Sequence, residues 1–477
     1  MNKYKLLVIN TAIFAVGSFG AKIFSLLLNN LYTKHISPSD LYAKSILEML
    51  VVFLLPVFTF SLTEAIVRFG LDKKYDKKQV FTTISVFILF GLLFMAPIVP
   101  LLHLIPVFRP ISGYSLLLFI LVCTSALRTL CSQFVRAREL LKLFAIDGIL
   151  TTFTLFIFNV IFISNLGLGV RGFLISVILS DMLSTAFLFI AGDIRKYAEK
   201  KSFSLPLGKE MLRFTLPLIP TTVMWTFTGF SDQLFIGNMH SDRAFLGEDA
   251  AGIYSAATKI PNVLSMLSTI FFQAWNMSAI TENDSTDRDS FYEKVYSAYE
   301  AVLFLGSAGM ILLIKPISAL LINYETYPEY SSAYKYAPML IAAAAFTCLN
   351  LFLAGIYTAT KHTKNAFLTM LAVVVSNIVL NLTLIPILGI QGAALATFLS
   401  YFLCYCIRIA DTRRYVPFGF SAVRTIANTV LILLMCIPVI FSFRNCLMWE
   451  LAFTVTVGII NYKPLLCTAM KLLKREA

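Results

Sequence analysis

Long apolar runs alternate with short polar breaks along almost the whole chain. Runs at about Leu6–Leu31, Leu41–Gly70, Val80–Ile105, Tyr114–Phe134, Phe144–Ile163 and Val170–Ala191 precede a polar stretch from Gly192 to Arg213. Eight more follow it, at about Phe214–Met239, Ala250–Ile280, Val295–Ile322, Ala337–Thr360, Phe367–Leu388, Gly392–Ile409, Thr425–Phe443 and Leu447–Leu473. A helix rises about 1.5 Å per residue, so each run is long enough to cross the roughly 30 Å hydrocarbon layer. Lipid cannot satisfy a bare backbone, and each run is expected to be helical. The pattern predicts an all-α polytopic membrane protein with about 14 transmembrane helices. Pro56 predicts a kink in the long second span; Pro217, Pro220 and Gly229 make the seventh the span best suited to bending.

The first twelve runs read as two sets of six. Gly169-Val170-Arg171-Gly172 opens the sixth run, and Gly389-Ile390-Gln391-Gly392 opens the twelfth in the same way. Phe134 with Phe144 before the fifth run has a counterpart in Tyr357 with Phe367 before the eleventh. Tyr42 and Tyr254 each lie just inside the second run of their set. Duplication is the economical reading. The expected organisation is an N-lobe at 1–191, a basic linker at 192–213, a C-lobe at 214–410 and two added helices at 411–477. Each half has an even number of spans, so the halves share one orientation and a pseudo-symmetry axis along the membrane normal.

Composition agrees with lipid as the solvent: 58% of residues are hydrophobic and the mean hydropathy is +0.80. The net charge of +13 is not a nucleic-acid signal, because no soluble domain is long enough to carry a basic face. It reports topology instead. About 27 of the 39 Lys and Arg fall on the side holding the N-terminus, which the positive-inside rule reads as cytoplasmic. Arg195, Lys196, Lys200, Lys201, Lys209 and Arg213 place the linker on that side, and both termini are expected there. The eight cysteines sit mostly inside apolar runs, which suits reduced, buried thiols better than a disulfide framework. The first apolar run lacks a small-residue cleavage site and is read as a retained span.

A charge in hydrocarbon costs about 2.5–3.5 kcal/mol on insertion scales and needs a partner, a wet cavity or a route to the surface. Lys22, Lys44, Arg128 and Lys259 are the candidate cavity cations. Lys315 beside Pro316 is expected to reach the outer surface. Lys44 and Glu48 stand at i,i+4 and can neutralise each other, as can Glu64 and Arg68 at the inner end of the second span. Glu48, Glu64, Arg68, Asp181 and Asp232 are the gating or coupling candidates; the two aspartates suit proton or cation uptake equally with pairing to a lysine. No phosphate loop, dinucleotide fingerprint, metal-binding cluster or nucleophile elbow is present, which points away from an enzyme and from any cofactor. The one small species left as a candidate is a coupling ion, H+ or Na+.

TEAIVRFG at 63–70, SQFVRARELLKLFAIDGILTT at 132–152, GFSDQLFIG at 229–237 and GIYSAATKIPNVLSMLSTIFFQAW at 252–275 complete the picture. With the glycine turns, they resemble the polysaccharide-transport branch of the multidrug, oligosaccharidyl-lipid and polysaccharide exporter superfamily over nearly the whole chain. The resemblance implies two six-helix lobes forming a V around a central cavity, with two further C-terminal helices. It implies a bacterial plasma-membrane flippase moving undecaprenyl-diphosphate-linked oligosaccharide from the cytoplasmic to the outer leaflet by alternating access. Membrane lipids, a polysaccharide polymerase and glycosyltransferases are the implied partners. Lys22 and Lys259 match the kind of position where these flippases place cavity cations. Gln233 stands where many relatives carry arginine. The nearest alternative is a multidrug or organic-cation antiporter of the same superfamily, whose cavity is expected to be dominated by acids and aromatics rather than lysines.

Overall fold

The computed structural model describes residue 24 and residues 27–72, 74–282, 285–360 and 362–473. Every regular element among them is helical. The described residues divide into two compact units, one ending at Leu234 and the other starting at Phe235. The first holds α1 (residues 27–35), α2 (Pro38–Phe58), α3 (Leu62–Leu71), α4 (Lys77–Met95), α5 (Ser115–Ala137), α6 (Leu141–Asn159), α7 (Gly169–Ala191), α8 (Leu205–Thr215) and most of α9 (Leu218–Asn238). The second holds α10 (Glu248–Ala257), α11 (Asn262–Glu282), α12 (Arg288–Leu312), α13 (Ile314–Leu321), α14 (Ala337–Ala359), α15 (Thr363–Leu388), α16 (Ile390–Thr412), α17 (Ala422–Ile440) and α18 (Cys446–Leu473).

Among the described residues, eleven helical segments are long and apolar enough to cross a membrane. They are the expected second to sixth and eighth to thirteenth spans. Helices α9 and α18, of 21 and 28 residues, occupy the seventh and fourteenth places. Most of the first span, Lys22 included, lies outside the described residues. The chain is a multi-pass membrane protein.

Two spans are broken where the sequence predicted a kink or an unbroken helix. Pro56 has no N–H to give, and the second span does not merely bend. It stops at Phe58, turns through Thr59–Ser61 with Phe60 and Ser61 at φ 54° and 50°, and restarts as α3. The Ser61 amide donates to the Pro56 carbonyl at 2.8 Å, which closes the turn. Helix α4 lies so close to this break that a Cβ on Gly91 would sit 1.9 Å from the Phe58 carbonyl oxygen. Gly91→Ala is therefore expected to cost about 1–3 kcal/mol through backbone displacement, more than the ~1 kcal/mol gained in helix propensity. A thermal midpoint equal to that of wild type would contradict this packing. The eighth span breaks between α10 and α11 at Thr258–Pro261, where Pro261 disfavours helix for the residue before it.

The repeat has a structural counterpart. Gly169 and Gly389 both have positive φ, 51° and 59°, where a side chain is strained. Three residues on, a Cβ at Gly172 would meet the Phe162 carbonyl oxygen at 2.9 Å, and one at Gly392 would meet that of Leu384 at 2.4 Å. The same device seats α7 and α16, each of which packs on both preceding helices of its unit, α5 with α6 and α14 with α15.

The polar stretch at 192–213 is folded rather than an open loop. Short 3-10 turns at Ile194–Tyr197 and Lys200–Ser202 lead into α8, which is capped by the Ser204 hydroxyl and buries Leu207, Met211 and Thr215 at helical spacing. Thr82 on α4 donates to the Tyr197 carbonyl at 3.0 Å and accepts from the Glu199 amide, while Lys78 pairs with Glu199 at 3.0 Å. Arg138 donates to the Gly192 carbonyl and lies over Tyr197. On the exposed side, a hydrogen bond from the Lys196 ammonium holds the Asp193 carboxyl below its ordinary range.

In the second unit α17 and α18 pack on α12. Glu300, fully buried on α12, receives the Arg424 guanidinium and the Thr425 hydroxyl from α17. Asn428 and Asn461 exchange reciprocal amide hydrogen bonds of 3.1 and 2.7 Å between α17 and α18.

Candidate functional site

The intramembrane charges of the first unit form two groups. In the first, Lys44 donates to Glu48 at 2.6 Å, and its ammonium lies 4.4 Å from the Tyr32 ring centre and 4.3 Å from that of Phe173. With 2% of its surface exposed, Lys44 is enclosed rather than lining an open cavity. The physical reason is economy: one carboxylate and two aromatic faces offset the charge more cheaply than a hydrated gap. Lys44 thus ties α1, α2 and α7 together in this structure.

The second group spans α5, α6 and α7. Arg128 reaches Asp181 at 3.5 Å and donates through Nε to the Ser184 hydroxyl at 3.3 Å. Ser184 donates in turn to Asp147 at 2.5 Å, and Ser125 donates to Asp181 at 2.5 Å. Thr154 and Ser180 continue the polar seam between α6 and α7 at 2.9 Å. Two acids thus share one guanidinium. Both acids are buried, at 1% and 4% exposure, whereas the Arg128 side chain is 33% exposed, so the arginine is the member with an accessible face.

Asp147 is the residue that the sequence reading missed. It lies in AIDG, within the quoted stretch at 132–152, and the test applied to Asp181, an acid inside an apolar run, would have found it. The equivalent seam in the second unit, between α14, α15 and α16, carries one acid among the hydrogen-bonded groups, Asp411, which accepts from Tyr357 and from Asn365 at 2.8 Å each. There the buried Arg408 donates to Thr369 at 2.9 Å and to the Asn350 carbonyl at 2.8 Å, and Asn350 donates to the Tyr401 carbonyl.

Lys259 occupies the break between α10 and α11, two residues ahead of Pro261. Its side chain is half-buried and makes no hydrogen bond or ion pair with the described residues. A cation next to the N-terminal end of a helix concentrates positive potential where anionic groups are stabilised. Asp232 and Gln233 are both buried on α9; Asp232 is engaged with neighbouring groups, and the Gln233 carbonyl oxygen accepts no hydrogen bond from the described residues. Glu64 and Arg68 do not form the expected i,i+4 pair. Both are exposed, and the Arg68 guanidinium lies 4.8 Å from the Phe214 ring centre instead, held by an aromatic face that shields it better than an open carboxylate.

A sequence profile for the polysaccharide biosynthesis protein family matches residues 7–276, more than half of the chain. The chain belongs to this family. No curated protein matches it by sequence. Among solved structures, it is similar to the lipid II flippase MurJ in an inward closed conformation, with 18% identity and a TM-score of 0.70 over 97% of this chain and 100% of that one. It is similar to an inward-facing multidrug resistance MATE family transporter of the MOP superfamily, with 15% identity and a TM-score of 0.66 over 83% and 94%. An outward-facing MATE transporter of that superfamily gives 15% identity and a TM-score of 0.58 over 87% and 96%. At these identities the likeness is one of fold: this family member has the all-helical polytopic fold shared by those proteins.

Proposed function

We propose that this polysaccharide biosynthesis family protein is a flippase. It carries undecaprenyl-diphosphate-linked oligosaccharide from the cytoplasmic to the outer leaflet of a bacterial plasma membrane by alternating access. Two six-helix lobes bearing α17 and α18 as an addition, with both termini cytoplasmic, are the organisation this reading requires. A polymerase and glycosyltransferases are its natural partners in making a surface polysaccharide.

The observation that carries the reading is Lys259: an intramembrane cation with no hydrogen-bond or ion-pair partner among the described residues, placed in a helix break. A diphosphate crosses a membrane against its own desolvation, and preformed cationic donors in a wet cavity lower that cost without covalent chemistry. Lys22 is assigned the same role. Arg128 supplies a second, partly screened cation, and Asp147 with Asp181 offers an exchangeable proton that can compete for it. The proton is the coupling ion favoured here, because two buried carboxylates around one guanidinium retain a negative charge that one proton removes.

The decisive assay is translocation of a fluorescent undecaprenyl-diphosphate saccharide in proteoliposomes at matched protein incorporation. Lys259→Ala is expected to lower the rate roughly tenfold or more, the loss of one charge-assisted interaction of about 1.5–3 kcal/mol. Lys22→Ala is expected to act in the same direction. Export of an organic cation against a proton or sodium gradient, with no movement of lipid-linked sugar, would replace this reading with the antiporter.

A further inference from the structure

The second unit contains a cavity of about 260 Å³ where α12 and α17 end and α18 begins. This is the end opposite the helix starts at Arg288 and Ala422, and under the proposed topology it faces the outer leaflet. Leu312, Phe443 and Leu447 give it apolar walls, but Lys315, Tyr334, Ser442, Cys446 and Glu450 also line it.

Glu450 is the unusual member. It is 3% exposed, and among the described residues its one hydrogen bond comes from the Cys446 thiol at 2.9 Å, a weak donor for a group with about four acceptor sites. Lys315 lines the same cavity, yet no ion pair closes between the two; the lysine's contact is the Tyr334 ring, 6.0 Å from Nζ. A buried carboxylate short of donors and an exposed, unpaired ammonium therefore line one small space without closing on each other. Retaining an acid inside a membrane helix is costly without a partner, which points to a ligand that supplies one.

We infer that this cavity binds the headgroup of an aminophospholipid, with the ligand's ammonium on Glu450 and its phosphate on Lys315. A primary ammonium offers three donors to a carboxylate that has one, and the adjacent phosphate meets the lysine. A headgroup carrying both charges a few bonds apart bridges the gap that the side chains leave. The surroundings select a lipid source. Phe443 and Leu447 of its lining are exposed, as are Leu313 and Trp449 next to lining residues in the chain, and an exposed tryptophan at a helix end marks the membrane interface. Neither Lys259 nor Arg128 lines the cavity, and the site is assigned to a resident lipid rather than to the transported one.

The test is native mass spectrometry of the purified full-length protein after exchange into mixed micelles. These contain equal amounts of phosphatidylethanolamine, phosphatidylcholine and phosphatidylglycerol. Wild type is expected to retain phosphatidylethanolamine at least fivefold over the other two, and Glu450→Gln, which keeps the side-chain volume, to lose that preference. Phosphatidylcholine is the informative control because its methylated ammonium cannot donate. Lys315→Gln, at an exposed position, is expected to weaken retention by several-fold with an unchanged thermal midpoint, and serves if Glu450→Gln does not fold. Equal retention of the three lipids by wild type, or a preference that survives both substitutions, overturns the proposal. Stabilisation by free phosphorylethanolamine without retention of the lipid overturns the lipid source.

Discussion

Replacing Arg424 with methionine is expected to destabilise the protein by about 3–5 kcal/mol, the range for removing one partner of a buried ion pair. The guanidinium is 13% exposed and Glu300 is fully buried, so the carboxylate left behind cannot turn to water. Thr425 remains as its one other donor among the described residues. Because α17 and α18 both pack on α12, the loss should appear as early unfolding of the two C-terminal helices rather than as altered transport chemistry. Thermal unfolding in detergent gives the first measure, and a double-mutant cycle gives the decisive one. Glu300→Gln in the Arg424→Met background removes the stranded charge and should recover a large part of the loss. A single substitution that leaves the midpoint unmoved, or a double variant no better than the single, would mean that the pair is not what fixes α17 to α12.

The sequence is most informative where one physical rule dominates. Membrane thickness sets span length, so the apolar runs and the helices agree to within a few residues for α5, α7 and α14 through α18. The repeat was legible because glycine marks two positions that admit no side chain, one by φ and one by a facing carbonyl. The helix breaks were harder. Phe-Thr-Phe-Ser at 58–61 carries no turn signal of its own, and the left-handed Phe60 follows a carbonyl, that of Phe58, against which α4 presents Gly91. Pro261 did signal the second break but lay inside an apolar run that hydropathy alone reads as continuous. In the linker, the density of charge hid an amphipathic helix. Ser204, Pro206 and the Leu207, Met211, Thr215 spacing spell one out once the exposed lysines are set aside.

Charges were located far better than their partners. Lys44, Arg128 and Asp181 are all inside the membrane helices as read. Whether a cation faces a cavity or a carboxylate depends on helix rotation, and a uniformly apolar helix gives no periodicity from which to read it. Glu300 with Arg424 illustrates the limit: 124 positions separate the two, and nothing local to either announces the other.

The Arg128 group yields the second large effect, because in it binding and coupling make opposite demands on the same guanidinium. Arg128→Gln is expected to reduce translocation of the lipid-linked saccharide by about tenfold to a hundredfold, the loss of one charge-assisted interaction of roughly 1.5–3 kcal/mol. The same change leaves Asp147 and Asp181 buried without their cation and should also lower stability. Asp147→Asn separates the two demands. It keeps the Ser184 contact in size and position but can no longer exchange a proton, so Asp181 is the one carboxylate left in the Arg128 group. Translocation is then expected to persist while losing its response to an imposed proton gradient. The rate of Asp147→Asn with and without the gradient, compared with wild type at matched incorporation, checks this. If wild type and Asp147→Asn respond to the gradient alike, the seam between α5, α6 and α7 holds the unit together and the coupling ion acts elsewhere. If Arg128→Gln transports normally once its stability is restored, the exposed face of that arginine is not on the route of the diphosphate.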